Sequence, residues 1–168
     1  EREISERMKD DRLTGEEREF LESLVNVIES MRIWHGRYLE ATKEKKPETY
    51  RLLERVPFEG ARTFHEAVQS LWFLFAFMRQ CGNWPGIGRM DLMLEDLYQN
   101  DLAAGIITED EARELLAHFF IKGCEWVSGG NYGSGDAQHY QNILLAGVDE
   151  EGKEVTNEVT YLVLDILE

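Results

Sequence analysis

The stretch GNWPGIGRMD, from Gly82 to Asp91, holds the side chains best suited to contact a ligand. Asn83 offers an amide that can form hydrogen bonds, and Trp84 offers an aromatic face that can pack on a small molecule. Arg89 and Asp91 carry opposite charges two positions apart, so they can form an internal ion pair as readily as they can contact a substrate. The alternative is that this glycine-containing corner only turns the chain between two helices.

A second glycine-rich stretch, SGGNYGSGD at residues 128–136, precedes an apolar segment. Glycines at this density do not suit a helix or a paired strand. The apolar segment from Tyr140 to Val148 is typical of a strand that is buried on both faces. Polar groups at the mouth of such a strand often face a site, so the stretch is consistent with a ligand-holding loop and equally with a flexible connector.

The other reactive residue types do not form a recognisable site. The four histidines show no HxxxH or HExxH spacing, and packing or surface roles are favoured for them. Cys81 and Cys124 form no CxxC pair and have no histidine nearby in sequence, which favours buried, inert thiols. Residues 147–153 nearly match a phosphate-binding loop, but Glu154 replaces the Ser or Thr that would contact magnesium, and carboxylates in the loop would repel phosphate. No metal site is predicted.

The composition is that of a globular protein that binds neither nucleic acid nor membranes. The formal net charge of −15 lacks the Lys and Arg clusters that offset phosphate charge, and 43% apolar residues suffice for one core. No apolar run reaches the roughly 18–20 residues of a spanning helix, and no leader is visible. With two unpaired cysteines, the sequence favours the cytoplasm. Because it begins without Met and stops inside an apolar periodic segment, we expect both ends to be cut.

Three capping-box sequences predict helix starts, at Thr14, Thr63 and Thr108. The first helix should reach at least Trp34, and the second is apolar all round and should be buried on every side. A further helix from Leu92 should end near Gly105, and it follows the corner described above. The sequence therefore predicts a mostly helical chain.

Shorter elements complete the prediction. Pro47 can open a short helix, and Thr156 can cap a final one. Asp149–Gly152 has the composition of a turn between the strand and that helix. The sequence thus indicates one or a few strands. One strand cannot form a sheet by itself, so unless the chain holds further strands that the pattern does not reveal, its partners should lie outside this chain or in a second copy of it.

Three stretches together resemble one family, the pyruvate formate-lyase-like glycyl radical enzymes. ARTFHEAVQSLWF at 61–73 is similar to the pattern RTFxEAxQxxWF, and the segment at 88–122 is similar to GRxD followed by DLxxGxITxxEAxELL. YQNILLAGVDEEGKEVTNEVTYLVLD at 140–165 is similar to QNxxLGGVDxxGxxxTNExSYLxLD. The order and spacing also fit from about Val56 onward.

The resemblance implies an α/β fold in which two parallel half-barrels form a ten-stranded barrel wrapped by helices. This chain would be a single fragment of that domain, helical over residues 1–125, with the glycine-rich loop, a barrel strand and a helix over residues 126–168. The strand would then be one stave of the barrel, which would supply its partners.

The resemblance also implies a mechanism. An iron–sulfur S-adenosylmethionine activating enzyme installs a glycyl radical, which generates a cysteine thiyl that abstracts hydrogen from substrate and triggers C–C, C–O, C–N or C–S cleavage. The RVxG-type glycyl loop and the thiyl loop are absent from the sequence, and neither Cys81 nor Cys124 lies at the thiyl position. We therefore expect no cofactor and no turnover in this chain alone. The full-length lyase or transferase would bind a small polar metabolite and the activating enzyme, and would form a homodimer.

The resemblance places substrate contacts at specific positions. When the chain is aligned on Gly88 and Arg89, the His and Ser that reach a substrate hydroxyl in dehydratase-type relatives fall at Asn83 and Trp84. Because these residues differ, decarboxylase, C–S or C–N lyase and formate-lyase activities stay open beside the dehydratase. The remaining pocket candidates are Ser134, Asp136, Gln141 and Asn142.

Two other classes of protein stay open. A catalytically silent helical protein-interaction domain is consistent with the acidic helix faces and the incomplete site. A nucleotide-binding module based on the glycine-rich stretch is a weaker third hypothesis. The strand edges of a truncated barrel also predict self-association.

Overall fold

The computed structural model describes residues 1–80, 86–123 and 142–168. The chain divides into two compact units, Glu1–Glu54 and Arg55–Glu168. The described residues form seven helices and two strands: α1 Arg2–Arg7, α2 Gly15–Thr42, α3 Pro47–Leu53, α4 Phe64–Gln80, β1 Gly86–Arg89, α5 Met90–Ala103, α6 Glu109–Gly123, β2 Asn142–Leu144 and α7 Glu158–Leu167. None of these helices has the length and apolar character needed to cross a membrane.

The first unit consists of three helices, of which α2 and α3 are predicted correctly. The capping box of α2 is complete, because the Glu17 N–H donates to Thr14 Oγ1 at 3.2 Å and the Thr14 N–H donates to the Glu17 carboxylate at 2.9 Å. Pro47 opens α3 at its first position. His35 of α2 is buried, with Nε2 2.8 Å from the carbonyl oxygen of Leu53, so this histidine has a packing role.

The start of α4 differs in one detail from the predicted capping box. The Glu66 N–H donates to Thr63 Oγ1 at 3.2 Å, as predicted. The Glu66 carboxylate, however, accepts from the N–H of Arg62 at 2.7 Å and from its guanidinium at 3.2 Å, which draws it away from Thr63. The N–H of Phe64, the first residue of α4, donates to Asp101 Oδ2 at 2.7 Å.

The prediction that α4 is buried on every side is wrong for the described residues. Leu74 and Met78 are exposed, Met78 by 52%. Among the described helices, α4 packs mainly against α5 and α6. Apolar composition alone does not say how many sides of a helix are covered.

The helices after the corner begin and end as predicted. Gly105, just after α5, has a φ of +65°, the left-handed conformation that commonly ends a helix. The Thr108 capping box of α6 is complete, since the Glu111 N–H donates to Thr108 Oγ1 at 3.3 Å and the Thr108 N–H donates back at 2.8 Å.

The two strands pair in parallel, with Gly86 opposite Asn142 and Arg89 opposite Leu144. The predicted strand, β2, therefore has a partner within this chain, a further strand that the sequence pattern does not reveal. The first strand lies within the predicted corner. It has four residues, two of them glycine, and so lacks the apolar pattern that would predict a strand.

The second strand is shorter and less covered than predicted. In the described part it spans three residues, and its predicted start at 140–141 lies outside the described residues. Ile143 packs against the core, whereas Leu144 is 62% exposed. Burial on both faces requires covering layers on both sides of a sheet, which the described residues do not supply.

The turn after β2 is confirmed. Asp149 Oδ1 accepts from the N–H groups of Glu151 at 3.1 Å and Lys153 at 2.8 Å. These bonds are those of a side chain that stabilises its own turn. The glycines and acidic residues that nearly match a phosphate-binding loop thus form a turn between β2 and α7.

The cap of α7 lies one residue later than predicted. Asn157 has an extended backbone, its side chain accepts from the Thr160 N–H at 3.0 Å, and its own N–H donates to Thr160 Oγ1 at 3.2 Å. Thr156 instead donates its hydroxyl to Glu154 at 3.0 Å. The reciprocal pair favours Asn157 because it satisfies two N–H groups at once.

Candidate functional site

The candidate site is centred on the junction of β1 and α5. Arg89 is the last residue of the strand and Met90 is the first of the helix, so Asp91 falls in the first turn of α5. A carboxylate there is favoured by the helix dipole. Asp91 is nonetheless fully buried, which requires specific partners for its charge.

Asp91 joins three parts of the second unit. Its Oδ1 accepts from the Leu92 N–H at 2.9 Å. Its Oδ2 accepts from the Ala146 N–H at 2.6 Å, just after β2, and from Thr160 Oγ1 at 2.9 Å, on α7. We refer to Asp91, Ala146 and Thr160 as the Asp91 cluster. The cluster fixes the first turn of α5 against the end of the sheet and the final helix.

Arg89 contributes the opposite charge. Its Nε lies 3.6 Å from Asp91 Oδ1, so the internal ion pair that the sequence offered as one option is present. The Nε and Nη2 atoms are buried and have no hydrogen-bond partner among the described residues. Buried donors of this kind are normally paired, so the guanidinium retains unused hydrogen-bonding capacity.

Ala146 has an unusual backbone. Its φ of +55° lies in the left-handed region, which residues with a Cβ adopt at a cost in free energy. The family pattern has glycine at this position, so the alanine is a departure from it. The N–H of Ala146 is held at 2.6 Å from the Asp91 carboxylate, which explains why the conformation persists despite the Cβ.

Of the predicted substrate contacts, Asn142 lies within the described residues. It is the first residue of β2 and is exposed, and its Cβ would lie 3.9 Å from a Cβ added at Gly86. Its side chain forms no hydrogen bond with the rest of the described chain. The predictions for Asn83, Trp84, Ser134, Asp136 and Gln141 lie outside the described residues.

The parallel register has a consequence for these positions. Since Gly86 and Asn142 are partners at the start of their strands, the two described ends lie side by side. In the sequence, Asn83 and Trp84 come just before the first of these ends, and Gln141 comes just before the second. The structure therefore places together the two points at which the predicted pocket segments join the sheet.

Two other buried carboxylates have structural roles. Burial opposes the charge of Glu66, but hydrogen bonds from the backbone and side chain of Arg62, together with the nearby Arg55, lower the pKa of that carboxyl from its ordinary value. Asp101 accepts the first N–H of α4. In residues 1–80, 86–123 and 142–168, no three His, Cys, Asp or Glu side chains come together in a way that could hold a metal ion.

Sequence reasoning singled out Asp91 but missed its partners. Ala146 and Thr160 lie 55 and 69 positions away, and no local pattern links residues at such distances. The one available signal was the family pattern itself, which places both residues in its third block.

The whole chain matches one family. The model described as pyruvate formate lyase-like covers residues 1–168. The chain therefore belongs to the pyruvate formate lyase-like family, and its relatives and structural neighbours include glycyl radical enzymes.

The relatives include a sulfite-lyase and a dehydratase. The chain is 38% identical over 170 residues to isethionate sulfite-lyase of Nitratidesulfovibrio vulgaris, which covers 89% of this chain and 20% of the relative. It is 27% identical over 168 residues to trans-4-hydroxy-L-proline dehydratase of Clostridioides difficile, covering 88% of this chain and 21% of that enzyme. The chain thus spans about a fifth of the length of the curated relatives it matches.

Solved structures agree with the fold. Hydroxyproline dehydratase from Clostridioides difficile, with trans-4-hydroxy-L-proline bound, superposes with a TM-score of 0.83 at 26% identity, over 99% of this chain and 24% of that one. A glycyl radical enzyme from Archaeoglobus fulgidus superposes with a TM-score of 0.84 at 27% identity, over 98% of this chain and 24% of its own. The chain therefore has the fold of the corresponding part of these two enzymes.

Proposed function

We propose that the protein to which this chain belongs is a glycyl radical lyase that acts on a small polar metabolite. The observation that supports this most directly is the parallel pairing of β1 with β2, in a chain whose entire length matches the family. In this proposal the two strands are staves of a barrel, and the rest of the barrel comes from sequence outside this chain.

The substrate pocket would lie at the end of the sheet where both strands start. Asn83 and Trp84 precede β1, Asp136 and Gln141 precede β2, and Asn142 opens it. Asn142 has an exposed amide that the described residues do not use, which is what a substrate contact requires in the absence of substrate. A pocket of this kind needs few polar groups, each fixed in position by a rigid element.

The reacting bond is proposed from the relatives. Four isethionate sulfite-lyases are 30–38% identical to this chain, whereas hydroxyproline dehydratase and the 4-hydroxyphenylacetate decarboxylase subunit are 27% identical. The departure of Asn83 and Trp84 from the dehydratase pattern points the same way. We infer that C–S cleavage of a small sulfonate is the first activity to test, before C–O, C–C or C–N cleavage.

The chemistry itself would come from outside this chain. A glycyl radical, installed by an S-adenosylmethionine iron–sulfur activating enzyme, would generate the cysteine thiyl that abstracts hydrogen. This chain would contribute binding and orientation of substrate. A cytoplasmic homodimer is the proposed state of the full-length enzyme.

The test is anaerobic activation of the full natural polypeptide with its activating enzyme. A glycyl radical signal in electron paramagnetic resonance is expected, followed by turnover of isethionate and not of trans-4-hydroxy-L-proline or 1,2-propanediol. Turnover of one of the other two substrates would reassign the bond. Absence of any radical would reject the lyase proposal and favour the silent interaction domain.

A matched pair of variants tests the pocket. Asn142→Ala should lower kcat/KM about tenfold, the effect of removing one hydrogen bond of about 1.4 kcal/mol, without lowering the radical yield. Asn100→Ala removes an exposed amide from α5 and should leave kcat/KM unchanged. Equal kcat/KM values for both variants would remove Asn142 from the pocket.

A further inference from the structure

The strand pair has one face that packs on the core and one that the described residues leave uncovered. Ile87 of β1 and Ile143 of β2 pack against the core. Successive side chains of a strand point to opposite faces, so Asn142 and Leu144 lie on the face opposite to Ile143. Both are exposed, Leu144 by 62%. The uncovered face therefore carries Asn142, the proposed substrate contact that lies within the described residues.

Gly86 belongs to the same face as Asn142. A Cβ built on Gly86 would lie 3.9 Å from the Cβ of Asn142, which is an ordinary contact distance. The absent side chain thus leaves space beside the Asn142 amide. The backbone does not require glycine at this position, because the left-handed glycine of β1 is Gly88, with a φ of +78°. We refer to Gly86, Asn142 and Leu144 as the open face.

The strand pairing is irregular at the open face. Gly86 pairs with Asn142, and Gly88 pairs with the next residue of β2, Ile143. The first strand therefore holds one residue more than the second over this interval, as in a β-bulge. Bulges are common beside active sites, where they redirect a side chain or end a pairing. The irregular pairing favours a site at the open face independently of the residue types there.

The open face combines a polar group with an apolar one. The Asn142 amide can donate and accept hydrogen bonds, and Leu144 offers an aliphatic surface. Residues two positions apart on a strand are separated by about 6.6 Å, so a molecule of a few carbon atoms with a polar head can contact both. Small-molecule sites commonly have this mixture of apolar surface and a few polar groups.

We propose that the open face is the wall on which the substrate of the lyase lies, and that Gly86 and Leu144 set the size of that substrate. This inference rests on the proposed function, the cleavage of a small sulfonate. A polar group of the sulfonate binds the Asn142 amide, and its carbon atoms pack on Leu144. The space left by Gly86 admits the substrate beside the amide, so Gly86 and Leu144 determine specificity.

Reciprocal variants of the full natural polypeptide test the inference. After anaerobic activation, kcat/KM is measured for isethionate and for 2-hydroxypropane-1-sulfonate, which carries one more methyl group. Gly86→Ala fills the space beside the amide and should lower kcat/KM for isethionate about tenfold, and for the larger sulfonate further. Leu144→Ala enlarges the site and should shift the preference toward the larger sulfonate.

Two variants outside the open face serve as controls. Gly60→Ala adds a methyl group to an exposed glycine with open space around it, and Leu92→Ala removes an exposed leucine from α5. Neither should change the ratio of the two kcat/KM values. That ratio does not depend on the fraction of enzyme that is folded or carries a radical, so a purely structural effect leaves it constant.

The inference requires the ratio to shift in opposite directions in Gly86→Ala and Leu144→Ala. Any other result with an active enzyme would overturn the inference and leave the lyase proposal standing. If the unmodified enzyme carries the radical and turns over neither sulfonate, the sulfonate assignment and this inference are both wrong. The radical signal and the substrate ratio therefore separate failure of the proposed function from failure of the inference.

Discussion

Two buried aspartates lie near opposite ends of α5, and they are held in different ways. Asp91, in the first turn, accepts three hydrogen bonds and has Arg89 at 3.6 Å. Asp101, in the last turn, accepts one side-chain hydrogen bond, from the Phe64 N–H. At one end of α5 the aspartate thus joins that helix to the segment after β2 and to α7. At the other end the aspartate only accepts the first N–H of α4.

The comparison shows that a buried carboxylate is explained by the groups it reaches. The dipole of α5 favours a negative charge at Asp91 and disfavours one at Asp101. Asp101 is nevertheless stable there because it faces the start of α4, where an N–H group needs a partner. Position on its own helix decides less than the identity of the nearest donor.

The largest loss of unfolding free energy should follow from replacing Asp91 by asparagine. Asp91→Asn places an amide N–H₂ against groups that all donate, and leaves the buried Nε of Arg89 without its counter-charge. We expect a loss of about 3–5 kcal/mol in the free energy of unfolding, measured by urea denaturation. Asp96→Asn, an exposed control on the same helix, should change it by less than about 0.5 kcal/mol. A loss in Asp91→Asn no larger than in this control would mean that the cluster does not stabilise the fold.

Glu66 is a third buried carboxylate, and unlike Asp101 it has arginines beside it. Glu66→Gln should cost about 1.5–3 kcal/mol at pH 7, because hydrogen bonds from Arg62 to the charged group are weakened. Since its pKa is lowered in the folded state, this contribution is present above the ordinary carboxyl pKa and is lost as pH falls through the lowered value. Urea denaturation at pH 7 and at successively lower pH should show the two proteins converging. A difference that stays constant with pH would contradict this origin.

Asp101 should show a smaller and chemically selective effect. Asp101→Ala removes the cap of α4 and should cost about 0.5–2 kcal/mol, whereas Asp101→Asn keeps an acceptor for the Phe64 N–H and should be nearly neutral. The same asparagine substitution is therefore severe at Asp91 and mild at Asp101. If Asp91→Asn and Asp101→Asn lose similar amounts of unfolding free energy in denaturation experiments, the two aspartates do not differ in the way proposed here.

The smallest effect should be a gain in stability at Ala146. Ala146→Gly removes the Cβ from a residue at φ +55° and leaves its N–H free to donate to Asp91. We expect a stabilisation of about 0.5–1 kcal/mol, because glycine adopts this conformation without the steric penalty. Thermal denaturation measures it, with Ala104→Gly as control, since Ala104 has an ordinary right-handed backbone and should lose stability instead.

Local chemistry predicted the helices well. The Thr14 and Thr108 capping boxes, Pro47 at the start of α3 and Gly105 at the end of α5 each act within a few residues, so they can be recognised in the sequence. The error at Thr156 has the same origin, because Asn157 beside it is an equally good cap and only the reciprocal bond with Thr160 decides between them.

Contacts between distant segments could not be predicted in this way. The first strand has too few residues for a periodic pattern, and the pairing partner that reveals it lies far along the chain. The partners of Asp91 likewise depend on how α5 packs against α7 and against the residues after β2. The family resemblance indicated the fold class, but it did not indicate which groups Asp91 contacts.

The long-range bonds of Asp91 also bear on the order in which the chain folds. They join residues 55 and 69 positions apart, so each closes a long loop whose entropy must be lost before the bond forms. The helices with complete capping boxes need only local contacts and can form early. The strand pair and the long-range hydrogen bonds of Asp91 should therefore form after the rate-limiting step. Weakening these contacts should speed unfolding and leave the refolding rate almost unchanged.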